Sequence, residues 1–197
     1  MEMENLKTKK QEIRHQVEEK LDAISKKEMM ARYGTIEEQL FDFANFREAE
    51  VMLLYINHPH EMDTRNILKR CSEATKNIVL PLFRPENNGT KLYKIANIDT
   101  DLKPGPNNIL EPDPDRCKPV PIDDIDIAII PGIAFDEKGG RLGIGSGRYD
   151  RIMSKLPVTA RKISCALEDQ MTQQVPMESH DKYVDIIITD KRIIYKI

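Results

Sequence analysis

Short apolar runs rich in β-branched residues recur along this chain and limit its possible folds more than any other feature. Segments with helical spacing separate several of these runs. Buried parallel strands read as continuous apolar runs because both of their faces are covered. The pattern therefore predicts an α/β protein whose mainly parallel sheet is covered on both faces. We expect strands at residues 51–56, 78–82, 91–96, 125–131, 162–167 and 184–189, with 91–96 half-exposed because its residues alternate.

The remaining segments divide into helices and one long loop. Apolar spacing predicts a long helix over residues 4–30, a second over 35–45 and a third around 67–71. Residues 104–121 contain six prolines and little periodicity. We therefore expect a loop there that wraps the surface or covers a site.

Length, charge and cysteine usage limit the function classes. The 197 residues suit one domain over 1–197, and 40% apolar with 32% charged residues is typical of a globular protein. A net charge of −3 gives no indication of nucleic-acid binding, and no apolar run approaches the roughly 18 residues of a membrane span. The polar N-terminus does not resemble a signal peptide. Three widely spaced cysteines predict reduced thiols in the cytoplasm, with neither zinc nor a disulfide.

The segment PGIAFDEKGGRLGIGSGRYDR at residues 131–151 is the strongest candidate for a ligand site. It follows a predicted strand, carries five glycines between residues 139 and 147, and leads into helical spacing. Closely spaced glycines allow successive backbone N–H groups to turn towards an anion, so we predict a phosphate-binding loop. The alternative is that the glycines serve only tight turns. The segment matches neither G-x-G-x-x-G, which Arg148 interrupts, nor the Walker pattern.

Two basic residues in the first predicted helix are candidate phosphate contacts. Lys10 falls within the apolar face of this helix and Arg14 lies at its edge. A lysine that faces the protein interior either extends its ammonium to solvent or meets an anion. If it meets an anion, Lys10 and Arg14 could clamp a polyphosphate opposite the glycine loop. The apolar face itself consists of Leu6, Ile13, Val17, Leu21 and Ile24.

Three acidic residues are candidates for the same site. Glu61 follows the 51–56 run at the start of a helical pattern, Asp150 begins the helix after the glycine loop, and Asp181 precedes the last strand. Each is also an ordinary residue: a carboxylate in a first helical turn complements the helix dipole. Near a phosphate loop, Asp150 and Asp181 could hold a magnesium ion through oxygen ligands. His58, beside Pro59, is expected to be a loop residue.

The glycine segment resembles the signature of the 5-formyltetrahydrofolate cyclo-ligase (methenyltetrahydrofolate synthetase) family. The resemblance covers almost the whole chain and implies a three-layer α/β/α sandwich with a mainly parallel sheet. Other stretches that resemble motifs of the family are KKQEIR, YINHPHEMDT, NIVLPLF, NNILEP and VPMESHDKYVDIIITD.

The resemblance implies an ATP- and Mg²⁺-dependent ring closure of 5-formyltetrahydrofolate to 5,10-methenyltetrahydrofolate, with release of ADP and phosphate. The substrate would be a reduced folate, with or without a polyglutamate tail, and the enzyme a monomer or weak homodimer. By matching motifs, the catalytic residues would be Arg141, Arg148 and Tyr149, the metal ligands Asp150 and Asp181, and the folate contacts Ile56, Glu61 and Phe83. ATP would contact Lys10, Arg14, Arg141, Leu142, Gly143, Ile144, Gly145, Ser146, Gly147, Arg148 and Tyr149.

The chain departs from the family pattern at a few positions. Ile144 and Ser146 stand where basic residues are usual, Arg148 replaces an aromatic residue, and Asn107 or Asn108 replaces an aromatic near the proline-rich segment. Arg148 could restore the positive charge lost at the other two loop positions. Two alternatives follow from these changes: a diverged paralogue that binds nucleotide or folate with little cyclo-ligase activity, or a different small-molecule enzyme on the same fold.

Overall fold

An eight-stranded sheet forms the centre of the molecule. The computed structural model describes residues 2–84 and 89–196, without the side chains of residues 2–4 and Asn107. The strands of the described residues, in order, are β1 (Val51–Leu53), β2 (Asn77–Arg84), β3 (Gly89–Ile95), β4 (Leu102–Pro104), β5 (Leu110–Pro112), β6 (Lys118–Val120), β7 (Ile127–Ile129), β8 (Ala134–Phe135), β9 (Arg141–Leu142), β10 (Arg161–Ala166), β11 (Ile186–Thr189) and β12 (Ile193–Tyr195). The helices are α1 (Glu2–Asp22), α2 (Lys26–Asp42), α3 (Ala44–Glu48), α4 (Arg65–Glu73), α5 (Ile98–Asp101) and α6 (Arg148–Met153).

The centre of the sheet is parallel and its margins are antiparallel. The strand order is β12-β11-β10-β7-β1-β2-β3-β6. Strands β11, β10, β7, β1 and β2 are all parallel to their neighbours in this series, whereas β12, β3 and β6 add as antiparallel strands. The prediction of a mainly parallel sheet is therefore confirmed.

Alternating side chains of the buried strands divide between two apolar layers. Met52 and Ile127 face one core cluster, whereas their neighbours Leu53 and Ala128 face the other. Helices α1, α2 and α4 cover the first cluster, and α6 covers the second through Ile152. This arrangement forms the three layers of an α/β/α sandwich, and it explains why the central strands β1 and β7 have apolar residues on both faces.

The N-terminal helices differ from the sequence prediction. The prediction of one helix over 4–30 is wrong, because the chain breaks after Asp22 and a new helix begins at Lys26. Ser25 has an extended backbone, and its hydroxyl accepts a hydrogen bond from the N–H of Glu28 at 3.2 Å, which caps α2. The predicted helix over 35–45 is the second half of α2 and the start of α3. The sequence Ser-x-x-Glu at 25–28 is a capping signature that indicates this boundary.

The proline-rich segment 104–121 is more ordered than the predicted loop. It contains β5 and β6 as well as a 3₁₀ turn at Pro106–Asn108. Strand β4 pairs with β5 in a small hairpin, and β6 pairs with β3 at the edge of the main sheet. Pro119 is tolerated in β6 because an edge strand leaves one side of its backbone unpaired. These strands have only three residues each and include prolines, so they are too short to show an alternating pattern in the sequence.

Candidate functional site

A cavity of about 690 Å³ lies at the carboxyl ends of the central strands. In α/β sheets with parallel strands, this end is where ligands bind. Helix α1, the loop after β1, strand β2, the glycine segment and residues 178–181 all contribute to its wall. Every site residue predicted from the sequence lines this cavity: Lys10, Arg14, Ile56, Glu61, Phe83, Arg141, Leu142, Gly143, Ile144, Gly145, Ser146, Gly147, Arg148, Tyr149, Asp150 and Asp181.

Arg141 is a buried cation with one unsatisfied donor. The β8–β9 hairpin holds it in place, and the residue is only 6% exposed. Its Nη1 donates to the Pro131 carbonyl at 2.9 Å, and its Nη2 donates to Asp150 Oδ2 at 2.8 Å. Its Nε has no acceptor among the described residues. Because an unpaired buried N–H is costly, this guanidinium is suited to receive an acceptor from a ligand.

The glycine loop gives Arg141 its space and exposes backbone donors. A Cβ on Gly143 would lie 2.7 Å from Arg141 Nη1, so a larger residue would collide with the guanidinium. Gly145 and Gly147 have φ values of +95° and +61°, which L side chains rarely adopt. Among the described residues, none accepts a hydrogen bond from the N–H groups of residues 144–147. From α1, Arg14 Nε donates to the Gly143 carbonyl at 2.8 Å and fixes one side of the loop.

Lys10 meets two carboxylates rather than solvent. Its ammonium lies 2.7 Å from Glu178 Oε2 and 2.6 Å from Asp181 Oδ2, and the residue is 9% exposed. Burial alone would lower the pKa of Lys10, but the hydrogen bonds to Asp181 and Glu178 outweigh it and raise that pKa. Burial opposes ionisation of Asp181, yet the bond from Lys10 lowers its pKa. The lysine therefore does not extend its ammonium to solvent, and both groups are charged near neutral pH.

The carboxylates of the cavity fit a magnesium ion. Mg²⁺ takes oxygen ligands and is usually held by one or two carboxylates together with substrate phosphates. The N–H of Lys182 donates to Asp150 Oδ1 at 3.0 Å, so the Asp150 carboxylate lies beside the chain next to Asp181. Ligand atoms of Glu178, His180 and Asp181 also lie within 4.8 Å of one another. Asp150 is both a first-turn residue of α6 and the partner of Arg141.

Glu61 is a buried carboxyl group whose pKa is raised. The residue is 5% exposed, and its Oε2 accepts a hydrogen bond from the N–H of His58 at 2.8 Å. Burial raises the pKa of Glu61 to about 7, although the His58 hydrogen bond and the charge of Arg141 oppose this shift. The alternative that Glu61 begins a helix is wrong, since α4 begins at Arg65. A carboxyl group at this position can accept hydrogen bonds from a polar ring, and when protonated it can also donate one.

An aromatic wall continues from Glu61 along the sheet. Phe83 and Tyr149 pack edge to face, with ring centroids 5.6 Å apart and an interplanar angle of 69°. The guanidinium carbon of Arg148 lies 5.0 Å from the centroid of the Phe83 ring. Burial raises the pKa of the Tyr149 phenol, and the charge of Glu61 adds to this effect. Arg148 stands where the family has an aromatic residue. In this chain its guanidinium lies against the Phe83 ring, so the aromatic wall remains and carries a positive charge.

Several cavity residues were not predicted from the sequence. Glu178 shares Lys10 with Asp181, and His58, expected to be only a loop residue, lines the cavity. Lys7 and Gln11 also line it. These residues lie three positions from Lys10 and Arg14, respectively, so helical spacing alone could have placed them on the same face of α1. Asn107 and Asn108 are the two positions where an aromatic residue of the family is missing. The side chain of Asn107 lies outside the described part of the structure, and Asn108 has a φ of +58°. The hairpin of β4 and β5 covers one side of the cavity with Ile109, Leu110, Glu111 and Pro112.

The fold and this cavity are typical of α/β enzymes that bind a charged small molecule at the carboxyl ends of parallel strands. A family model described as the 5-formyltetrahydrofolate cyclo-ligase family matches residues 6–190. The chain therefore belongs to the 5-formyltetrahydrofolate cyclo-ligase family of enzymes.

Individual relatives agree with the family match. The chain is 30% identical over 141 residues to a 5-formyltetrahydrofolate cyclo-ligase of Haemophilus influenzae. The aligned region covers 68% of this chain and 73% of the relative. It is 27% identical over 146 residues to that of Escherichia coli K12, covering 74% and 80% respectively. An NMR structure of 5,10-methenyltetrahydrofolate synthetase from Aquifex aeolicus superimposes with a TM-score of 0.82 at 27% identity, covering 94% of this chain and 92% of that chain. Among the described helices, none has both the length and the apolar character needed to span a membrane.

Proposed function

We propose that this protein uses ATP to close the ring of 5-formyltetrahydrofolate. The formyl oxygen attacks the γ-phosphorus of ATP, and the bond from that phosphorus to ADP breaks. N10 of the folate then attacks the activated formyl carbon and loses its proton to solvent, and the carbon–oxygen bond to phosphate breaks. The products are 5,10-methenyltetrahydrofolate, ADP and phosphate. The names of the relatives and the charges of the cavity both support this proposal.

The observation that carries the proposal is the unsatisfied donor set around the glycine loop. Phosphoryl transfer depends mainly on positioning and on neutralising negative charge, rather than on a nucleophile from the protein. Arg141 Nε and the N–H groups of residues 144–147 are donors without acceptors among the described residues, and they border the same cavity. Lys10, Arg14 and Arg148 bring further positive charge to its wall. We infer that these groups hold the triphosphate and stabilise the transferred phosphoryl group.

Asp150 and Asp181 are the proposed holders of Mg²⁺, with Glu178 close to Asp181. A bound magnesium ion supplies positive charge to phosphate oxygens during transfer. The basic residues of this chain prepare that position by pairing with the carboxylates. Arg141 pairs with Asp150, and Lys10 pairs with Asp181 and Glu178. These ion pairs hold the carboxylates at the cavity wall.

Glu61, Ile56 and Phe83 are the proposed folate contacts. Glu61 offers a buried carboxyl group to the polar edge of the pterin, and Ile56 lines the cavity beside it. The Phe83 ring, with Tyr149 against its edge, offers a flat surface to the pterin or the aminobenzoyl group. In this proposal the formyl group lies between the folate contacts and the glycine loop.

The test is a spectroscopic assay of the purified protein with 5-formyltetrahydrofolate, MgCl₂ and ATP. We expect methenyltetrahydrofolate absorbance to grow only when ATP is present, with one ADP formed per ring closed. Arg141→Ala should abolish most of this activity, whereas Arg161→Ala, at the exposed opposite end of the sheet, should not. Nucleotide binding without ring closure would contradict the proposal and favour the non-catalytic paralogue.

We also propose that the protein acts in the cytoplasm as a monomer or weak homodimer. Cys71, Cys117 and Cys165 are free and buried, which suits a reducing compartment. Analytical ultracentrifugation would test the assembly, and fluorescence microscopy of a tagged protein would test the compartment. A tight dimer or an organellar signal would overturn the respective proposal.

A further inference from the structure

Three side chains that can bind a metal ion lie on one turn before β11. Glu178, His180 and Asp181 each offer a ligand atom, and these atoms lie within 4.8 Å of one another. The N–H of Asp181 donates to the Glu178 carbonyl at 3.0 Å, and the N–H of Glu178 donates to Asp181 Oδ2 at 2.8 Å, so the turn holds its own shape. We refer to these three residues as the acidic turn. Carboxylate ligands suit Mg²⁺ and Mn²⁺, and an imidazole adds affinity for transition metals.

A lysine of α1 already bonds to the acidic turn. The buried Lys10 ammonium lies 2.7 Å from Glu178 Oε2 and 2.6 Å from Asp181 Oδ2. In the described part of the chain, the other ion pairs of these two carboxylates are longer contacts with His180, at 4.0 and 3.5 Å. A metal ion that bound the same two oxygen atoms would lie beside the ammonium, and the two positive charges would repel each other. Lys10 and a divalent metal ion are therefore alternative partners of the acidic turn.

A bound triphosphate would offer the Lys10 ammonium a second position. Lys10 lines the cavity, and Arg14, one helical turn further along α1, donates to the Gly143 carbonyl of the glycine loop. A lysine carries its charge on a flexible four-carbon stem, so the ammonium can turn from the carboxylates towards a phosphate at that loop. A triphosphate has more negative charge than the two carboxylates together. A metal ion that arrives with the triphosphate would also replace the positive charge that the carboxylates lose.

We propose that Lys10 keeps free divalent metal ions off the acidic turn, so that the metal enters only with a nucleotide whose phosphate takes over the ammonium. This inference rests on the proposed function, which assigns Mg²⁺ to Asp150 and Asp181 and ATP to the glycine loop. Lys10 is then a residue that determines metal specificity as well as a phosphate contact. Without it, the acidic turn would bind Mn²⁺ before any nucleotide is present.

Electron paramagnetic resonance of Mn²⁺ tests the exclusion on protein without nucleotide or folate, since bound Mn²⁺ loses the sharp signal of the free ion. We expect Lys10→Met to bind Mn²⁺ about ten-fold more tightly than the parent, because it removes a charge-assisted pair and leaves both carboxylates. Lys10→Arg keeps the positive charge and should stay within about two-fold of the parent. The control with the same net charge is Lys9→Met, an exposed neighbour on α1 that does not line the cavity; it should also stay within about two-fold. Circular dichroism checks that each variant is folded, and Lys10→Gln takes the place of Lys10→Met if the latter unfolds.

NMR of the lysine ammonium groups tests the exchange on the parent protein. The Lys10 signal is assigned by its absence in Lys10→Arg and is followed as a non-hydrolysable ATP analogue is added in EDTA, with saturation verified by calorimetry. We expect this signal to shift, because the hydrogen-bond acceptors of the ammonium change from carboxylates to phosphate. An unchanged signal in the saturated protein would overturn the exchange.

The other outcomes separate this inference from the proposed function. Equally tight Mn²⁺ binding by the parent and Lys10→Met would overturn the exclusion, and so would an equal gain in Lys10→Met and Lys9→Met, since net charge would then explain it. A gain that persists in Lys10→Met/Asp181→Asn would place the metal away from the acidic turn and overturn it too. If the parent excludes Mn²⁺ and its Lys10 signal shifts with nucleotide, but no folate ring is closed, the proposed function alone fails.

Discussion

Replacing Glu61 by glutamine should change how the stability of the protein depends on pH. Burial raises the pKa of this carboxyl from 4.5 to about 7 in the folded protein. A shift of this size corresponds to about 3 kcal/mol, since one pKa unit is about 1.4 kcal/mol. Between these two pKa values the folded protein holds a proton that the unfolded chain releases. The free energy of unfolding must therefore fall as pH rises through this range, and remain lower above it.

Urea unfolding at pH 5 and pH 8 measures this effect directly. Integrating the linkage between those limits gives a loss of about 2.5 kcal/mol from Glu61 in the parent protein. Glu61→Gln cannot titrate, yet its amide oxygen can still accept the His58 N–H hydrogen bond. Because every other titrating group is common to both proteins, their contributions cancel in the difference. We expect the parent to lose about 2.5 kcal/mol more than the variant between pH 5 and pH 8.

Parallel pH profiles for the two proteins would refute this reasoning. They would mean that Glu61 titrates at the same pH in the folded and unfolded states, so that water or the Arg141 charge offsets its burial. A second variant, Glu38→Gln on α2, serves as the control because Glu38 is exposed and, in the described part of the chain, forms an ion pair with Arg70 alone. It removes one carboxylate from an exposed position, so an effect of net charge alone would appear in this variant as well.

Three further predictions concern the cavity. Lys10→Ala should weaken ATP binding roughly ten- to a hundred-fold by calorimetry, because charge-assisted contacts contribute about 1.5–3 kcal/mol; unchanged affinity would remove Lys10 from the site. Asp150→Asn keeps the shape but removes the charge that Mg²⁺ needs, so turnover should fall steeply in a magnesium titration; full activity at ordinary magnesium would leave Asp150 as a first-turn residue. Arg148→Tyr should keep or improve folate affinity and weaken ATP affinity, each measured on the same variant; no change in either would mean that Arg148 serves neither ligand.

The sequence predicted the parts of the fold that local patterns determine. The continuous apolar runs identified the buried parallel strands, and the glycine spacing identified the loop after β7. Both features depend on residues close together in the chain, so periodicity and turn preference are enough to find them. The boundary at Ser25 was equally local, and the capping pattern from Ser25 to Glu28 would have corrected the single long helix.

Contacts between distant segments could not be predicted in the same way. Lys10 meets Glu178 across 168 positions of sequence, and no local pattern distinguishes that glutamate from a solvated one. The pKa of Glu61 likewise depends on its burial among several elements rather than on its neighbours in the chain. The short edge strand β6 forms because β3 offers an unpaired edge, which the proline-rich sequence does not reveal.

The same distinction bears on the departures in the glycine loop. Ile144 and Ser146 lack the charge that the family pattern carries there, and a local comparison therefore suggests a weaker phosphate site. The potential at the cavity, however, is a sum over all charges that face it, and most of them come from other elements. Lys7, Lys10 and Arg14 reach it from α1, and Arg148 reaches it from α6. The loop itself contributes backbone donors that do not depend on its side chains. Loss of charge at two loop positions therefore leaves these cations and the backbone donors of the loop in place, on a wall that also carries the carboxylates of Glu61, Glu111, Asp150, Glu178 and Asp181.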